Sequence, residues 1–435
     1  MNLTIHRGTH EIGGSCVEIK SRGSRIVVDI GMPLVKPGGE RFDFKEYGDL
    51  SGEGLVKKKI LPDMAGFYEW DADGSKVDGL FISHSHLDHY GLYEYVRKDI
   101  PCFLGEGTKR IIDINNLFLG SNCHIGLHTI IKSGVPVEAG NFKVTPYLMD
   151  HSAFDSYAFL IESGGKKVLY SGDFREHGRK SKVFHRFLRE VPEGVDALLL
   201  EGSLMGGRSE QQETEEEIEK KIIDTIRNSN SITLCLLSSQ NIDRLVSFFK
   251  AALKTGKLFV IDVYTANVLD SLKNLANIPH PSKGFSNIRV VFTKWICDRL
   301  VKEGKYELMR KFKDYKITKK EISGNPSNYV MVVKTSMLFD LSRIKGIEGG
   351  TLIYSMWEGY LKDRSMERFL EFIKKRQMEI IYIHTSGHAR LDTLKKVVEK
   401  TKPKMLIPIH TFYPERFSEL SPNVLQVSDG LEIEI

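Results

Sequence analysis

The sequence predicts an α/β protein in which one domain is inserted into another. Its 435 residues are long for one domain and sufficient for two. Up to about residue 205, short strand-like segments are mixed irregularly with helical ones, which favours stacked sheets flanked by helices. Between residues 206 and 375 strands and helices alternate regularly, which is typical of a doubly wound parallel α/β fold. The first pattern returns at 376, so we expect residues 1–205 and 376–435 to form the outer domain and 206–375 the inserted one.

The outer domain begins with a predicted β-meander. Its segments are rich in β-forming residues and are separated by Gly13-Gly14 and by Arg22-Gly23-Ser24, which favour turns. A later strand is expected just before a group of histidines, and a helix at about 89–98 just after it. The strands predicted in this part of the chain cover residues 3–6, 16–19, 25–30, 79–83, 143–148, 157–161, 167–171 and 197–200.

The inserted domain begins with an acid-rich run at 212–221, whose carboxylates favour the first turns of a helix. Its predicted strands cover residues 233–237, 258–263, 288–292, 329–333 and 351–355. Its other predicted helices cover residues 241–252, 266–275, 298–312 and 363–374. In the last part of the outer domain we expect strands at 380–383, 405–409 and 431–435, and a helix at 391–400.

The composition is that of an ordinary soluble globular protein, with 41% hydrophobic and 27% charged residues. The apolar runs are only as long as strands, and the start of the chain lacks the architecture of a signal peptide. We therefore expect a cytoplasmic protein with no membrane partner. Five scattered cysteines without a Cys-x-x-Cys pair argue against a disulfide framework and against a thiolate zinc site. The net charge of +5 permits an anionic partner without requiring one.

The strongest chemical signal follows a predicted strand and reads His84-Ser85-His86-Leu87-Asp88-His89. Four ligand-type side chains at a strand-to-helix corner can converge on one point, which a regular helix or strand would not allow. Imidazole and carboxylate ligands together suit Zn²⁺ or Mn²⁺. We therefore predict a metal site here. The alternative is a hydrophilic loop that is rich in histidine by chance.

Three further ligand-type residues, His151, Asp173 and His410, lie at the ends of predicted strands. Each alone is more often a capping aspartate or an ordinary polar histidine. Together with the histidine-rich run they make seven candidate ligands, which is about the number that two metal ions need.

In order and spacing these residues resemble the motifs of the metallo-β-lactamase superfamily. More narrowly, they resemble its β-CASP branch of nucleases, which includes ribonuclease-J-like and polyadenylation-endonuclease-like enzymes. The resemblance extends over nearly the whole chain and is also carried by Asp29 in Val27-Val28-Asp29-Ile30-Gly31, Glu201 in Leu199-Leu200-Glu201-Gly202-Ser203 and His388 in Thr385-Ser386-Gly387-His388-Ala389. It implies a metallo-β-lactamase αββα sandwich, formed by residues 1–205 and 376–435, with a β-CASP domain inserted at 206–375.

The resemblance also implies two divalent metal ions, with Zn²⁺ as the first choice and Mn²⁺ as the alternative. In this family pattern one ion is held by His84, His86 and His151, and the other by Asp88, His89 and His410, with Asp173 as the bridge. Asp29 would orient a ligand without touching the metal.

The catalytic residues that we expect are Asp88, Glu201 and His388. A histidine held by a carboxylate can give a proton to a leaving oxygen, which is the role expected of His388 beside Glu201. The alternative reading is structural, with Glu201 capping a turn and His388 capping the helix at 391–400.

The segment 385–389 joins a predicted strand to a predicted helix, where free backbone N–H groups form an anion pocket. We predict a phosphate-binding loop there, with contributions from Ser386, Gly387 and Ala389. Ser239, at the equivalent corner of the inserted domain, is the candidate for the opposite wall.

Residues 302–320 hold eight lysines and arginines against three acidic residues, with Tyr306, Phe312 and Tyr315 between them. Such a stretch could follow a phosphate backbone while its rings stack on bases. A solvated helix face is the more ordinary explanation of a charge run, and it is our expectation here.

These observations predict a two-metal phosphodiesterase that cleaves single-stranded nucleic acid in a groove between the domains. RNA is the favoured partner and DNA the alternative, and the sequence leaves a homo-oligomer open. A metallo-hydrolase of a small ester or thioester is the second hypothesis, because the same metal core serves many reactions. A nucleic-acid-binding subunit without catalysis is the third, and the complete ligand set argues against it.

Overall fold

The computed structural model describes residues 1–36, 40–71, 74–206, 212–282 and 284–435. Its contacts divide the chain into two compact units, one of Met1–Gln212 with Gly387–Ile435 and the other of Glu213–Ser386. We call them the outer unit and the insert unit and describe each by itself. None of the helices in the described part of the chain is both long and apolar enough to cross a membrane.

The first sheet of the outer unit has seven strands, in the order β20-β1-β2-β3-β4-β5-β6. Its strands are β1 (Asn2–Arg7), β2 (Cys16–Ser21), β3 (Ser24–Val28), β4 (Gly79–Ile82), β5 (Cys102–Leu104), β6 (His128–Ile130) and β20 (Glu432–Glu434). The predicted β-meander is confirmed, because β1, β2 and β3 pair antiparallel in sequence order. From β3 to β6 the pairing is parallel.

The second sheet of the outer unit has six strands, in the order β19-β11-β10-β9-β8-β7. Its strands are β7 (Val137–Ala139), β8 (Phe142–Met149), β9 (Ser156–Ser163), β10 (Lys166–Tyr170), β11 (Ala197–Glu201) and β19 (Met405–Ile409). Strands β7 to β10 pair antiparallel in sequence order, whereas β10, β11 and β19 are parallel.

The two sheets bury one apolar core between them, in which Phe81 of β4 meets Phe159 of β9 at a centroid distance of 5.6 Å. The helices of this unit are α1 (Gly52–Lys57), α2 (Leu87–Tyr90), α3 (Glu106–Leu119), α4 (Ser181–Glu190) and α13 (Leu391–Thr401). Outside the first sheet, Leu55 of α1 and Ile112 of α3 are buried in a second core. Outside the second sheet, Phe187 of α4 and Leu394 of α13 are buried in a third. The outer unit is therefore a four-layer αββα sandwich.

The insert unit contains one parallel sheet of seven strands, in the order β15-β14-β13-β16-β12-β17-β18. Its strands are β12 (Thr233–Leu236), β13 (Leu258–Asp262), β14 (Ile288–Val291), β15 (Lys316–Ile317), β16 (Tyr329–Val333), β17 (Thr351–Tyr354) and β18 (Glu379–Tyr382). Its helices are α5 (Glu215–Asn228), α6 (Ile242–Lys254), α7 (Val263–Leu272), α8 (Lys294–Lys302), α9 (Glu307–Arg310), α10 (Lys319–Gly324), α11 (Leu338–Leu341) and α12 (Arg364–Lys375). Because connections run from the middle of the sheet towards both edges, the predicted doubly wound order is present.

Three of the predicted elements differ clearly from the expectation, and several other elements, among them α3 and α4, were not predicted. The helix expected at 89–98 is only the single turn α2, which leads into Gly91. The helix expected at 298–312 is interrupted: α8 ends before Gly304, whose φ of +69° is not helical, and the short helix α9 follows it. Strand β18, expected in the outer domain, pairs with β17 in the sheet of the insert unit.

Candidate metal centre

The predicted ligands of the outer unit all follow the carboxyl ends of strands. His84, His86, Asp88 and His89 lie between β4 and the end of α2, and the other positions follow β8, β10 and β19. Strands β10, β11 and β19 are parallel, and β8 runs in the same direction because two antiparallel pairings separate it from β10. Residues that are far apart in the sequence therefore meet at one edge of the sandwich.

Asp29 holds the histidine-rich segment in place through hydrogen bonds to its carboxylate. Its carboxylate accepts hydrogen bonds from the Ser83 backbone N–H (2.7 Å) and hydroxyl (2.8 Å), from His89 Nδ1 (2.7 Å) and from the Tyr170 hydroxyl (2.7 Å). Asp29 is fully buried, and its φ of +60° is rare for a residue with a side chain. This geometry gives Asp29 an orienting position rather than a ligand position.

The glycine of the same motif, Gly31, is required by a close contact between two backbone segments. A Cβ atom on this residue would lie 1.8 Å from the carbonyl oxygen of Asp88, a distance that no packing adjustment can accommodate. The backbone on either side is hydrogen-bonded across this contact, from Ile30 N to His89 O (2.9 Å) and from Met32 N to Leu87 O (2.9 Å). Only glycine allows the two backbones to approach this closely.

Seven predicted ligands converge in two groups, within each of which the ligand atoms lie no more than 4.8 Å apart. The members of one group are His84, His86, His151 and Asp173, and those of the other are Asp88, His89, Asp173 and His410. Asp173 belongs to both groups. The structure thus brings together all the residues predicted as ligands.

In the first group, the hydrogen bonds of the imidazoles leave ring nitrogen atoms that face the other ligands. His151 donates through Nδ1 to the carbonyl of Gly387 (2.6 Å), and its Nε2 lies 3.2 Å from His86 Nδ1. Nε2 of His84 is buried and has no hydrogen-bond partner among the described residues. A buried imidazole nitrogen without a partner is costly unless an ion fills the place, so this donor set fits a divalent cation.

The protonation of the first group also suits a metal. Burial lowers the pKa of His86 to about 4 and holds the pKa values of His84 and His151 well below the usual range. These imidazoles are therefore neutral near pH 7, which is the form that binds metal ions.

The second group contains two carboxylates, those of Asp88 and Asp173, beside two imidazoles. Burial opposes the charge of Asp173, yet the neighbouring His410, His89 and His388 hold its pKa well below the usual range. His89 is likewise buried, and Asp173, Asp29 and Asp88 together raise its pKa above the usual range. Buried negative charge of this density is what a cation would neutralise.

Glu201 and His388 form the predicted pair. His388 Nδ1 lies 3.3 Å from Glu201 Oε2, and both residues belong to a third group of ligand-type atoms together with Asp173 and His410. Burial acts to lower the pKa of His388, but Glu201 and Asp173 outweigh it and raise that pKa to about 9. The imidazole of His388 thus lies beside a buried carboxylate that favours its protonated form.

Two residues at this edge had no assigned role in the sequence analysis. The Ser203 hydroxyl lies 2.8 Å from Nδ1 of His410 and 3.1 Å from Nδ1 of His388. Tyr170 donates to Asp29 as described above. A serine after a predicted strand and a tyrosine inside one carry no distinctive signal, so only their neighbours in space reveal them.

The predicted phosphate-binding residues are distributed between the two units. Gly387 lies against the ligands, since a Cβ there would be 2.5 Å from Ser152 Oγ. The N–H of Ala389 donates to Glu201 Oε1 (3.1 Å), which occupies the donor on which that prediction relied. Ser386 is the last residue of the insert unit. Ser239 is buried in the same unit, and its hydroxyl lies 2.7 Å from that of Thr265.

Two family models match the part of the chain that holds most of these ligands. The model described as "Metallo-beta-lactamase superfamily" matches residues 11–106, and the model described as "Beta-lactamase superfamily domain" matches residues 65–220.

Curated relatives extend the similarity beyond these segments. Ribonuclease J of Helicobacter pylori (strain B128) is 24% identical over 95% of this chain and 56% of that protein. The chain thus spans little more than half the length of that relative. Cleavage and polyadenylation specificity factor 73 of Drosophila melanogaster is 26% identical over 48% of this chain and 29% of that protein.

A solved structure shares the fold. The crystal structure of a protein of unknown function from Enterococcus faecalis V583 superposes with a TM-score of 0.79, covers 99% of both chains and is 21% identical. The predicted fold class is confirmed. The two family models thus identify metallo-β-lactamase superfamily domains within residues 11–220 of this chain, and its relatives are consistent with the β-CASP branch.

Proposed function

We propose that the chain is a metal-dependent phosphodiesterase that cleaves single-stranded nucleic acid, with RNA as its principal substrate. The observation that carries this proposal is the convergence of seven imidazole and carboxylate ligands in two groups that share Asp173. Ligand groups joined by one carboxylate are suited to two adjacent divalent cations. The names of the relatives, a ribonuclease and a cleavage factor, support the same reaction class and favour RNA.

His84, His86 and His151 would hold one metal ion, and Asp88, His89 and His410 would hold a second. Asp173 belongs to both groups and would be available to either ion. When bound, two divalent ions supply Lewis-acid stabilisation of phosphate oxygens and make water a better nucleophile at neutral pH. The histidine and aspartate donors suit Zn²⁺ first and Mn²⁺ second. Asp29 keeps His89 in the orientation that leaves its Nε2 facing Asp173, 3.2 Å away.

His388 is the proposed proton donor to the 3′ oxygen that leaves when the phosphodiester breaks. Glu201 lies 3.3 Å from His388 Nδ1. Its carboxylate is itself held by three backbone N–H donors, those of Phe174 (3.3 Å), Ser203 (3.1 Å) and Ala389 (3.1 Å). A carboxylate this well held keeps the imidazole aimed at the ligand cluster. Gly387, which precedes His388, packs tightly against the ligand segment, because a Cβ there would lie 2.5 Å from Ser152 Oγ and 3.1 Å from His151 Cε1.

The decisive experiment is digestion of 3′-labelled single-stranded RNA and DNA, with 5′-monophosphate or 5′-hydroxyl ends, by the purified 435-residue chain with Zn²⁺ or Mn²⁺. We expect the wild type to cleave RNA. We expect His388→Ala to bind metal normally and to cleave roughly 10²- to 10⁴-fold more slowly, as is typical when a general acid is removed. His86→Ala should lower both the bound metal and the cleavage. His185→Ala, an exposed histidine outside the cluster, is the matched control and should behave as wild type.

Intact RNA and DNA under all these conditions would contradict the proposal. Hydrolysis of a thioester that survives His388→Ala, with no cleavage of nucleic acid, would instead favour the small-ester hydrolase. Cleavage of DNA alone would assign the same chemistry to a DNA-directed nuclease.

A further inference from the structure

The positive charge of the chain is concentrated in one segment of the insert unit. Residues 294–343 contain 12 lysines and arginines against six acidic residues, a net charge of +6. The rest of the chain contains 50 lysines and arginines against 51 acidic residues, so its net charge is −1. This segment, which runs from α8 to Arg343, therefore accounts for the basic character of the whole protein.

Large aromatic rings of the same segment are exposed. Trp295 in α8 is 57% exposed, and Phe339 in α11 is 46% exposed. The chain segments that carry them are bound to each other, because the backbone N–H of Lys294 donates to both carboxylate oxygens of Asp340 (3.2 Å each). These segments follow β14 and β16, so the rings lie at the carboxyl edge of the parallel sheet, where α/β folds of this type bind ligands.

Both rings are accompanied by arginine. The guanidinium of Arg343 lies 3.5 Å from the centroid of the Phe339 ring, and that of Arg299 lies 5.9 Å from that of Trp295. Only Leu300 of the nine residues of α8 is buried, so packing against the core does not explain a tryptophan there. Exposed aromatic surface beside cationic groups is typical of a binding surface rather than of a solvated helix face.

Several cations of the segment have no acidic partner among the residues that the structure describes. Lys302, Lys313 and Lys320 are exposed, and no described carboxylate lies within 4 Å of their ammonium groups. The aromatic rings within residues 302–320 are not all available for stacking. Phe312 is buried, and of the three rings only that of Tyr306 is exposed. Three rings of the segment are therefore exposed, those of Trp295, Tyr306 and Phe339, and of these Trp295 and Phe339 also have an arginine beside them.

We propose that this basic–aromatic surface (residues 294–343) binds single-stranded nucleic acid, with bases stacked on Trp295 and Phe339 and phosphates near Lys302 and Lys313. This inference rests on the proposed function for its biological role. Its structural argument comes independently from the exposed rings and lysines of the segment. A polyanion with exposed flat apolar faces matches free lysines beside open rings, whereas the bases of a duplex are already stacked on each other. The partner is thus identified by its charge and by its unpaired bases.

The test is the affinity of as-purified full-length protein for a fluorescein-labelled, hydrolysis-resistant 2′-O-methyl phosphorothioate 20-mer, single-stranded or annealed, measured by anisotropy at several salt concentrations. We expect Trp295→Ala and Phe339→Ala each to weaken single-strand binding roughly 5- to 150-fold, the range for losing one stacked base. The Lys302→Ala/Lys313→Ala variant should instead flatten the slope of log affinity against log salt by roughly 0.7 per lysine. Leu253→Ala, also an exposed side chain of the insert unit but outside the segment, and Lys182→Ala in the outer unit should change neither quantity.

If all the surface variants bound with the affinity and salt slope of the wild type, the inference would be overturned. The exposed rings would then be assigned to contact with a protein partner. Equal affinity for the single strand and the duplex would also overturn it. Because the probe resists hydrolysis, binding and cleavage are separate results. Weaker binding by the Trp295→Ala and Phe339→Ala variants would support the proposed binding surface even if the wild type cleaved no RNA. Normal binding by these variants would contradict it even if the wild type cleaved RNA.

Discussion

At the scale of single residues, the centre depends on groups that hold its ligands in place. Asp29 is such a group, since four hydrogen bonds converge on its buried carboxylate. The histidine-rich run could be identified from the sequence because its ligands are neighbours along the chain. Tyr170 and Ser203 could not, because a hydroxyl becomes significant only through the residue that it meets 141 or 207 positions away.

The role of Tyr170 leads to a testable expectation. Tyr170→Phe removes one donor from a buried carboxylate, which should lower the free energy of unfolding by about 1.5–3 kcal/mol. It should also weaken metal binding by roughly 10- to 100-fold, because His89 loses part of its support. Urea denaturation and competition with a metal chelator measure the two effects. Tyr382→Phe, at an exposed tyrosine, is the control, and equal behaviour of the two variants would contradict this role.

At the scale of elements, the parallel strands explain why distant ligands meet. The positions at the ends of β10, β11 and β19 could be predicted, because each motif ends or directly follows an apolar run and the carboxyl ends of parallel strands share one edge. The place of β18 could not. Its residues fit either sheet by composition, and only its pairing with β17 assigns it to the insert unit.

A buried ion pair joins three elements of the insert unit. Arg244 in α6 donates from Nε and Nη2 to the two carboxylate oxygens of Glu215 in α5, at 3.2 and 3.0 Å, and it also bonds Ser355 after β17. The guanidinium is fully buried and Glu215 almost fully. The pair therefore fixes how α5 and α6 sit against the sheet.

Breaking this pair should be costly. Arg244→Met leaves the charge of Glu215 buried without its cation, and we expect a loss of about 3–5 kcal/mol in the free energy of unfolding, measured by urea titration. Adding Glu215→Gln should recover part of that loss. Arg227→Met is the matched control, since its pair with Asp224 is exposed and should contribute less than about 1 kcal/mol. A loss no larger than that of the control would refute the assignment.

At the scale of the whole molecule, we propose that the insert unit is an autonomous domain. It has a complete parallel sheet and an apolar core of its own. Its two ends meet, because the Thr385 hydroxyl donates to the carbonyl of Glu213 (2.6 Å). Ends that meet are what the insertion of one domain into another requires. Regular alternation of strands and helices made this domain predictable, whereas its limits depend on pairing across the whole sheet.

Residues 213–386 expressed alone should therefore fold. We expect an α/β circular dichroism spectrum and one cooperative thermal transition, because the sheet and its core lie entirely within this segment. Residues 213–377, which lack β18, are the comparison and should melt at a lower temperature. A non-cooperative transition of the longer segment would show that the two units fold only together.

The contact at Gly31 has a consequence for protein engineering. The strand end with Asp29 and the short helix with Asp88 and His89 touch backbone to backbone, and only a hydrogen atom of the glycine lies between them. A graft of the histidine-rich loop into another scaffold would therefore lose its shape unless the glycine-bearing strand were transplanted with it. The smallest portable form of this centre is the pair of segments, not the loop.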